Sequence, residues 1–218
     1  MGEGLYDEEE VEACAPSDWR GTYDFGNSFY SFDVASVHVV VLNQYTDTGL
    51  DSPQYRWLAE DLEATDRTAT PWLVVMMHCP WYNSNELHQG ESQALNSMAT
   101  MEPLLFQHKA AVVFNGHVHA YERTRPVFDS APTASAPTYI VVGAAGNREG
   151  HADAFQEPVP AWTARREGTK YGSGRLSMQN STLALWEWAV SGPTSVDRMD
   201  RDRTALECFR CVRPRGSR

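Results

Sequence analysis

The sequence predicts an α/β protein, close to the boundary with the α+β class, with a largely parallel sheet. The evidence is that short apolar runs of strand length alternate with longer segments of helical periodicity. Pro71–Met77 and Ala110–Phe114 are such runs, and Ser92–Lys109 between them has the length of a helix, with a break expected near Pro103. A strand, helix, strand order predicts parallel pairing and a right-handed crossover. In such sheets, ligands bind beyond the carboxyl ends of the strands.

The segments before this unit predict two strands and a helix that packs on the sheet. Asn27–Asp33 alternates aromatic and polar residues, and Val37–Leu42 is a β-branched run that we expect to be buried on both faces. Asp51-Ser52-Pro53 combines a capping side chain with a proline suited to the first helical position, so we expect a helix from there to near Asp66. Its apolar stripe consists of Tyr55, Leu58 and Leu62.

The remainder of the sequence predicts three more strands, which are Thr138–Val142, Arg175–Gln179 and Thr182–Val190. The last two flank Asn180-Ser181 and predict a hairpin. Trp186 and Trp188 share one face of its second strand, where we expect them to serve packing rather than ligand stacking. His151–Lys170 has no clear periodicity and is typical of a surface loop.

Composition narrows the class of protein. With 218 residues, 42% of them hydrophobic and 22% charged, the chain is typical of one soluble globular domain. The formal net charge of −11 argues against a nucleic-acid partner. No segment approaches the roughly 20 apolar residues of a membrane helix, so we expect no membrane partner.

We divide the chain into three parts. Residues 1–18 form an acidic start that we expect to be disordered and that differs from a secretory signal peptide. Residues 19–192 are expected to form the folded domain, and residues 193–218 a basic, flexible tail. The lone C-x-x-C of Cys208 and Cys211 fits a local disulfide or two thiols equally well, and Cys79 is expected to be a buried free thiol.

Histidines follow two of the predicted strands directly. His78 follows one apolar run, and His117 and His119 follow another. Alternate side chains of an extended segment point the same way, so we expect the paired rings to face one small volume, with Gly116 allowing a tight turn. Three imidazoles suit a borderline transition metal, as in zinc hydrolases. A bare H-x-H equally fits solvated loop histidines, and spacing alone leaves both readings open.

Longer motifs resemble the purple acid phosphatases, which are calcineurin-like metallophosphoesterases. The motifs are N-S-F-Y-S-F-D from Asn27, the run Val37–Leu42, H-C-P-W-Y-N-S from His78, G-H-V-H-A-Y-E-R from Gly116 and Y-G-S-G-R-L from Tyr171. Their order resembles the carboxyl-terminal half of that family's catalytic domain and covers roughly Trp19 to Val190. The resemblance implies part of a four-layer α/β/β/α sandwich that lacks the amino-terminal half.

The resemblance also implies a dinuclear metal centre, with ferric iron beside zinc, manganese or iron, that hydrolyses phosphomonoesters. It makes His78 and His117 ligands of the divalent ion and His119 a ligand of the ferric ion. His88 stands where the family has a histidine that contacts phosphate and can protonate the leaving oxygen, so it is the implied catalytic residue. The implied supporting residues, which pack and orient the ligand loop, are Asn83, Tyr121 and Glu122.

The chain departs from the family pattern in the remaining ligands. The family draws these from a G-D-x-x-Y loop and a G-N-H-[DE] loop, but this sequence has no Gly-Asp dipeptide and no such histidine after Gly26-Asn27 or Gly146-Asn147. We therefore expect an incomplete ligand set and weak or no activity of this chain alone. We also expect an exposed apolar sheet edge or face that pairs with an amino-terminal half or with a second copy.

Two other functions stay open. One is a phosphodiesterase or nucleotide pyrophosphatase of the same superfamily, and the other is a non-catalytic truncated product that binds at most one metal ion. The family resemblance implies a secreted, vacuolar or lysosomal protein. In such a compartment Asn180-Ser181-Thr182 would be an acceptor for glycosylation at Asn180.

Overall fold

The computed structural model describes residues 27–191 and the backbone of residues 207–210. The helices in this part of the chain are α1, Pro53–Ala64, and α2, Ser92–Gln107. The strands are β1 Tyr30–Val34, β2 Val37–Val41, β3 Trp72–Met76, β4 Val112–Asn115, β5 Tyr121–Thr124, β6 Val127–Phe128, β7 Ala131–Pro132, β8 Thr138–Val142, β9 Thr163–Glu167, β10 Gly172–Met178, β11 Leu183–Val190 and β12 Glu207–Arg210.

A seven-stranded mixed sheet organises the fold, with strand order β1-β2-β3-β4-β8-β5-β9. Strands β2, β3, β4 and β8 are parallel, and β1, β5 and β9 pair antiparallel with their neighbours. The predicted parallel unit of β3, α2 and β4 is confirmed, although α2 continues through Pro103 without a break. A second sheet has the order β10-β11-β12, and β6 pairs with β7.

Both helices pack on one face of the main sheet. Ser52 caps α1, because its side-chain oxygen accepts a hydrogen bond from the Tyr55 amide at 3.1 Å, and Pro53 follows at the first helical position. The stripe of α1 is buried through Leu58 and Leu62. These residues join a core with the inward side chains of the strands and of α2, which are Val40, Leu73, Val75, Val113, Tyr139, Met101 and Leu105.

The β10–β11 hairpin covers part of the opposite face. Trp186 packs 5.1 Å from Phe114, and Trp188 stacks on Tyr121 at 4.4 Å between ring centroids. The indole Nε1 of Trp186 also donates to the Tyr121 hydroxyl at 2.9 Å. A Cβ at Gly174 would lie 1.8 Å from the Trp186 ring, so glycine is what lets this ring lie across β10. The predicted packing role of both tryptophans is confirmed.

Part of that face stays exposed toward β1, although Trp72 and Val74 on the same face are buried. Phe32, Val34 and Met76 are 41%, 54% and 45% exposed. They lie on one side of the sheet, because Phe32 pairs with Val39 and Met76 pairs with Val41. The expectation that Val37–Leu42 is buried on both faces is therefore wrong, since Val37, Val39 and Val41 are only partly buried on this side.

Two strands were missed by sequence patterns. β9 lies inside the segment that predicted a surface loop, and β5 begins only two residues after His119. β9 is an edge strand of the sequence T-A-R-R-E, whose charged side chains hide the apolar alternation expected of a strand. Its register depends on pairing with β5, which is distant in sequence.

The predicted acidic start at residues 1–18 lies outside the described residues, as does the predicted tail at residues 193–218 except for the backbone of β12. Cys208 belongs to β12, and Cys211 is not described. The three-part division stays a prediction. Within the described range, neither helix has the length and apolar character needed to cross a membrane.

Candidate metal centre

His78 and His117 meet at the carboxyl ends of the neighbouring parallel strands β3 and β4. The Gly116 amide donates to the His78 carbonyl at 2.9 Å, which continues the pairing of the two strands into their loops. Nδ1 of His117 then lies 3.0 Å from Nε2 of His78. Metal to imidazole-nitrogen distances of about 2.0–2.1 Å place two ligands of one ion about 3 Å apart. The donor pair therefore fits one borderline divalent ion.

The backbone at His117 differs from the sequence expectation. Residues 117–120 form a bend rather than an extended segment, and His117 itself has a left-handed φ of 64°. This conformation costs a non-glycine residue about 1–2 kcal/mol. Gly116, expected to make the turn, has no positive φ, and a Cβ there would come no closer than 3.7 Å to His78.

The end of β8 packs against the backbone of this bend. Gly143 directly follows β8, and a Cβ on it would lie 1.9 Å from the carbonyl oxygen of Val118. No side chain fits in that space, so glycine allows the backbone of the histidine loop to rest against the end of the sheet.

His119 is turned to a different partner. Its Nδ1 lies 3.7 Å from Oε2 of Glu149, an exposed carboxylate, whereas both ring nitrogens of His117 face other groups. We expected the His117 and His119 rings to face one volume because alternate side chains of an extended segment point the same way. That reason is wrong, since residues 117–120 form a bend and are not extended. The role of His119 as a second-ion ligand stays a prediction.

His88 reaches the same centre from the loop that precedes α2. Its ring centroid lies 3.9 Å from that of His117, and its φ is 61°. Asn83 closes this loop, since its Nδ2 donates to the Leu87 carbonyl at 2.8 Å and its Oδ1 accepts from the Asn85 amide at 2.9 Å. The structure thus brings His88 and His117 close to His78, although they follow it by 10 and 39 positions in the sequence.

Sequence reasoning missed Glu91, which joins two of these histidines. Its Oε1 lies 2.8 Å from Nδ1 of His88, and its Oε2 lies 2.9 Å from Nε2 of His117. Partial burial raises the pKa of the Glu91 carboxyl, but the hydrogen bond with His88 and the interactions with His117 outweigh it and hold the pKa below its usual value. The available signal was an acidic residue three positions after His88 and directly before a helix.

The pKa of His78 is lowered by partial burial and by the neighbouring His117. A lower pKa favours the neutral ring, which is the form that ligates metals. Among the described residues, Cys79, Glu91 and His117 also have ligand atoms within 4.8 Å of one another. Cys79 is a buried free thiol, as expected from the sequence.

Glu122 ties β5 to the loop that follows β3. It is 2% exposed and accepts hydrogen bonds from the Ser84 amide at 2.8 Å and from the Thr163 hydroxyl at 3.4 Å. Burial raises the pKa of this carboxyl. Tyr121 instead packs against the hairpin through Trp186 and Trp188. The supporting roles of Glu122, Tyr121 and Asn83 toward bound metal stay predictions.

The sequence matches two family models. The model described as calcineurin-like phosphoesterase matches residues 4–121. The model described as iron/zinc purple acid phosphatase-like protein C matches residues 136–198. Together they cover both helices, the hairpin and the strands of the main sheet except β5, most of which lies between the two matches.

Curated relatives carry matching names. Purple acid phosphatase 18 of Arabidopsis thaliana is 47% identical over 188 residues, which cover 84% of this chain and 42% of that protein. Phosphoenolpyruvate phosphatase of Allium cepa is 41% identical over 171 residues, which cover 73% of this chain and 35% of that protein. The chain thus spans less than half the length of these relatives.

A solved structure supports the fold. The purple acid phosphatase isolated from yellow lupin (Lupinus luteus) seeds superposes with a TM-score of 0.70 over 88% of this chain and 34% of that chain, at 20% identity. The mixed sheet therefore matches a metallophosphoesterase α/β fold. The chain belongs to the calcineurin-like phosphoesterase family, and within it to the purple acid phosphatases.

Proposed function

We propose that this chain carries the histidine half of a dinuclear phosphatase site and takes part in hydrolysis of phosphomonoesters. The observation that carries the proposal is the 3.0 Å separation of His117 Nδ1 and His78 Nε2 at two adjacent strand ends. Membership of the family implies phosphoester substrates. The name of the Allium cepa relative, phosphoenolpyruvate phosphatase, favours a monoester.

The residues have separate tasks in this proposal. His78 and His117 hold a divalent ion, and His119 holds iron together with ligands that we expect from outside this chain. When bound, such a metal pair supplies Lewis-acid polarisation of phosphate oxygens and an activated water. His88 contacts the phosphate and gives its proton to the leaving oxygen as a general acid. Its exposed ring beside His117 leaves it accessible to a substrate.

The ligand set within this chain is incomplete in our proposal, so the chain alone is weakly active or inactive. The exposed apolar side chains of Phe32, Val34 and Met76 favour a protein partner on that sheet face. We propose that this partner is an amino-terminal half of the catalytic domain, with a second copy of the chain as the alternative. Sedimentation analysis of the purified chain distinguishes a dimer from a monomer.

A secreted or vacuolar location is part of the same proposal, and glycosylation at Asn180 depends on it. Asn180 is exposed in the turn between β10 and β11. Its backbone carbonyl accepts a hydrogen bond from Trp72 Nε1 at 2.9 Å. The side-chain nitrogen that would be modified therefore belongs to an exposed residue of this turn.

The test compares nitrophenyl phosphate with bis-nitrophenyl phosphate and nucleotides as substrates. The metal-loaded chain is assayed alone and with the amino-terminal part of the Arabidopsis relative added in trans. We expect hydrolysis of the monoester in the mixture, abolished by His117→Ala. Preference for the diester or for nucleotides would instead indicate a phosphodiesterase or nucleotide pyrophosphatase. Absence of hydrolysis, with no more than one metal ion per chain and no phosphate binding, would indicate a non-catalytic protein.

A further inference from the structure

Glu91 lies at the start of α2, but its side chain does not cap the helix. It is the N-cap residue of α2, yet its side chain makes no capping hydrogen bond to the helix amides. Its carboxylate instead turns to the histidines, with one oxygen 2.8 Å from His88 Nδ1 and the other 2.9 Å from His117 Nε2. Stability of the helix end therefore does not explain where this carboxylate lies.

The contact with Glu91 fixes which nitrogen of His117 is free. An ionised carboxylate only accepts hydrogen bonds, so the imidazole nitrogen that faces it carries a hydrogen. With the hydrogen on Nε2, a neutral His117 ring has its lone pair on Nδ1, and Nδ1 is the atom that faces His78 Nε2 at 3.0 Å. Metal-ligating histidines commonly donate their other N–H to a carboxylate in this way.

The second oxygen of Glu91 controls His88 by the same rule. His88 Nδ1 donates to it, which leaves Nε2 as the nitrogen available to other partners. The His88 backbone has a left-handed φ of 61°, and its ring lies 3.9 Å from that of His117, tilted by 48°. One carboxylate thus sets the orientation of both rings.

We propose that Glu91 is a positioning residue that fixes the ring orientation and tautomer of both His117 and His88. The part that concerns metal affinity rests on the proposed function, in which His117 ligates a divalent ion through Nδ1. The part that concerns the tautomer stands in the metal-free chain as well.

A competing arrangement uses Glu91 as a direct ligand together with Cys79 and His117, whose ligand atoms lie within 4.8 Å of one another. The contacts favour the positioning role. Cys79 Sγ is already 3.3 Å from the Tyr45 hydroxyl, and an ion bound at Nε2 of His117 would leave its Nδ1 opposite His78 without a role in that site.

The experiment measures Zn²⁺ binding by calorimetry and histidine tautomers by ¹⁵N NMR in the full chain. The variants are Glu91→Gln, which cannot accept from both rings, and Cys79→Ser. Glu86→Gln is the matched control, because Glu86 is an exposed glutamate of the same loop. Loss of such a carboxylate partner typically weakens metal affinity by about 10–100-fold.

We expect Glu91→Gln to weaken Zn²⁺ binding to that extent with unchanged stoichiometry, and to shift the Nε2–H tautomer of metal-free His117. Glu86→Gln and Cys79→Ser should leave both unchanged. Equal weakening by Cys79→Ser and Glu91→Gln would overturn the proposal in favour of direct ligation. An unchanged His117 tautomer in Glu91→Gln would overturn it as well. Failure of the wild-type chain to bind Zn²⁺ would count against the proposed function, while the tautomer would still decide the role of Glu91.

Discussion

His117 Nδ1 lies 3.0 Å from His78 Nε2, although the two residues are 39 positions apart in the chain. The contact exists because β3 and β4 are parallel neighbours whose loops both begin at the same edge of the sheet. Glu91 contacts the other ring nitrogen of His117, and Gly143 lets the backbone of the histidine loop pack against the end of β8.

Replacing His88 by alanine should weaken phosphate binding and leave metal binding intact. His88 contacts His117 through a tilted ring-to-ring contact and Glu91 through a hydrogen bond, and neither contact uses the nitrogen pair of His78 and His117. Loss of one hydrogen bond to a charged group corresponds to about a 10–100-fold loss in phosphate affinity. Calorimetry with inorganic phosphate on the Zn²⁺-loaded chain measures this, with His108→Ala as a distant control. If His88→Ala strips the metal, His88 is a ligand and its assigned role is wrong.

Replacing Gly143 by alanine should lower the free energy of unfolding by about 1–3 kcal/mol, the usual cost of overpacking. The new Cβ would meet the Val118 carbonyl at 1.9 Å, so the backbone of the histidine loop must shift. Gly116→Ala is the matched control, since its Cβ would meet only His78 at an ordinary 3.7 Å. Urea unfolding compares the two variants. Equal stability of both would show that the loop tolerates displacement.

His38 should make the fold more stable at mildly acidic pH. It lies 2.9 Å from Asp61 and 2.6 Å from Asp33 through its two ring nitrogens. The hydrogen bond with Asp61, helped by Asp33, raises the His38 pKa above 6.5 against the opposing effect of burial. A raised folded-state pKa gives stability that is complete below the unfolded value and is lost as pH rises through the folded value.

Urea unfolding of wild type and His38→Gln, in the presence of a chelator, measures this effect. The stability advantage of wild type over the variant should be larger at pH 5.5 than at pH 8.5. His108→Gln controls for general effects of removing a histidine. An advantage that grows with pH would contradict the ionic role of His38.

Sequence patterns predicted the elements whose structure depends on residues that are close together in the chain. Ser52 and Pro53 predicted the start of α1, and the apolar runs around His78 and His117 predicted adjacent parallel strands. The site at their carboxyl ends followed from that topology. These features depend on residues close in sequence and on a connection rule that holds for most folds.

The remainder depended on contacts between distant segments. β9 is a strand only because β5 pairs with it, and β5 is covered by tryptophans of the hairpin. No sequence pattern pointed to Glu91. Its contacts with His88 and His117 arise because the loop before α2 approaches the end of β4. The left-handed backbone at His117 likewise depends on Gly143 and on the hydrogen bond from the Gly116 amide to His78.

The most direct test of the metal site is a Zn²⁺ titration of the chain, comparing wild type with His117→Ala and with His108→Ala as the control. Because the site needs both nitrogens of the 3.0 Å pair, we expect wild type and the control to bind Zn²⁺ and His117→Ala to lose that binding. Unchanged Zn²⁺ affinity in His117→Ala would contradict the assignment of His78 and His117 as metal ligands.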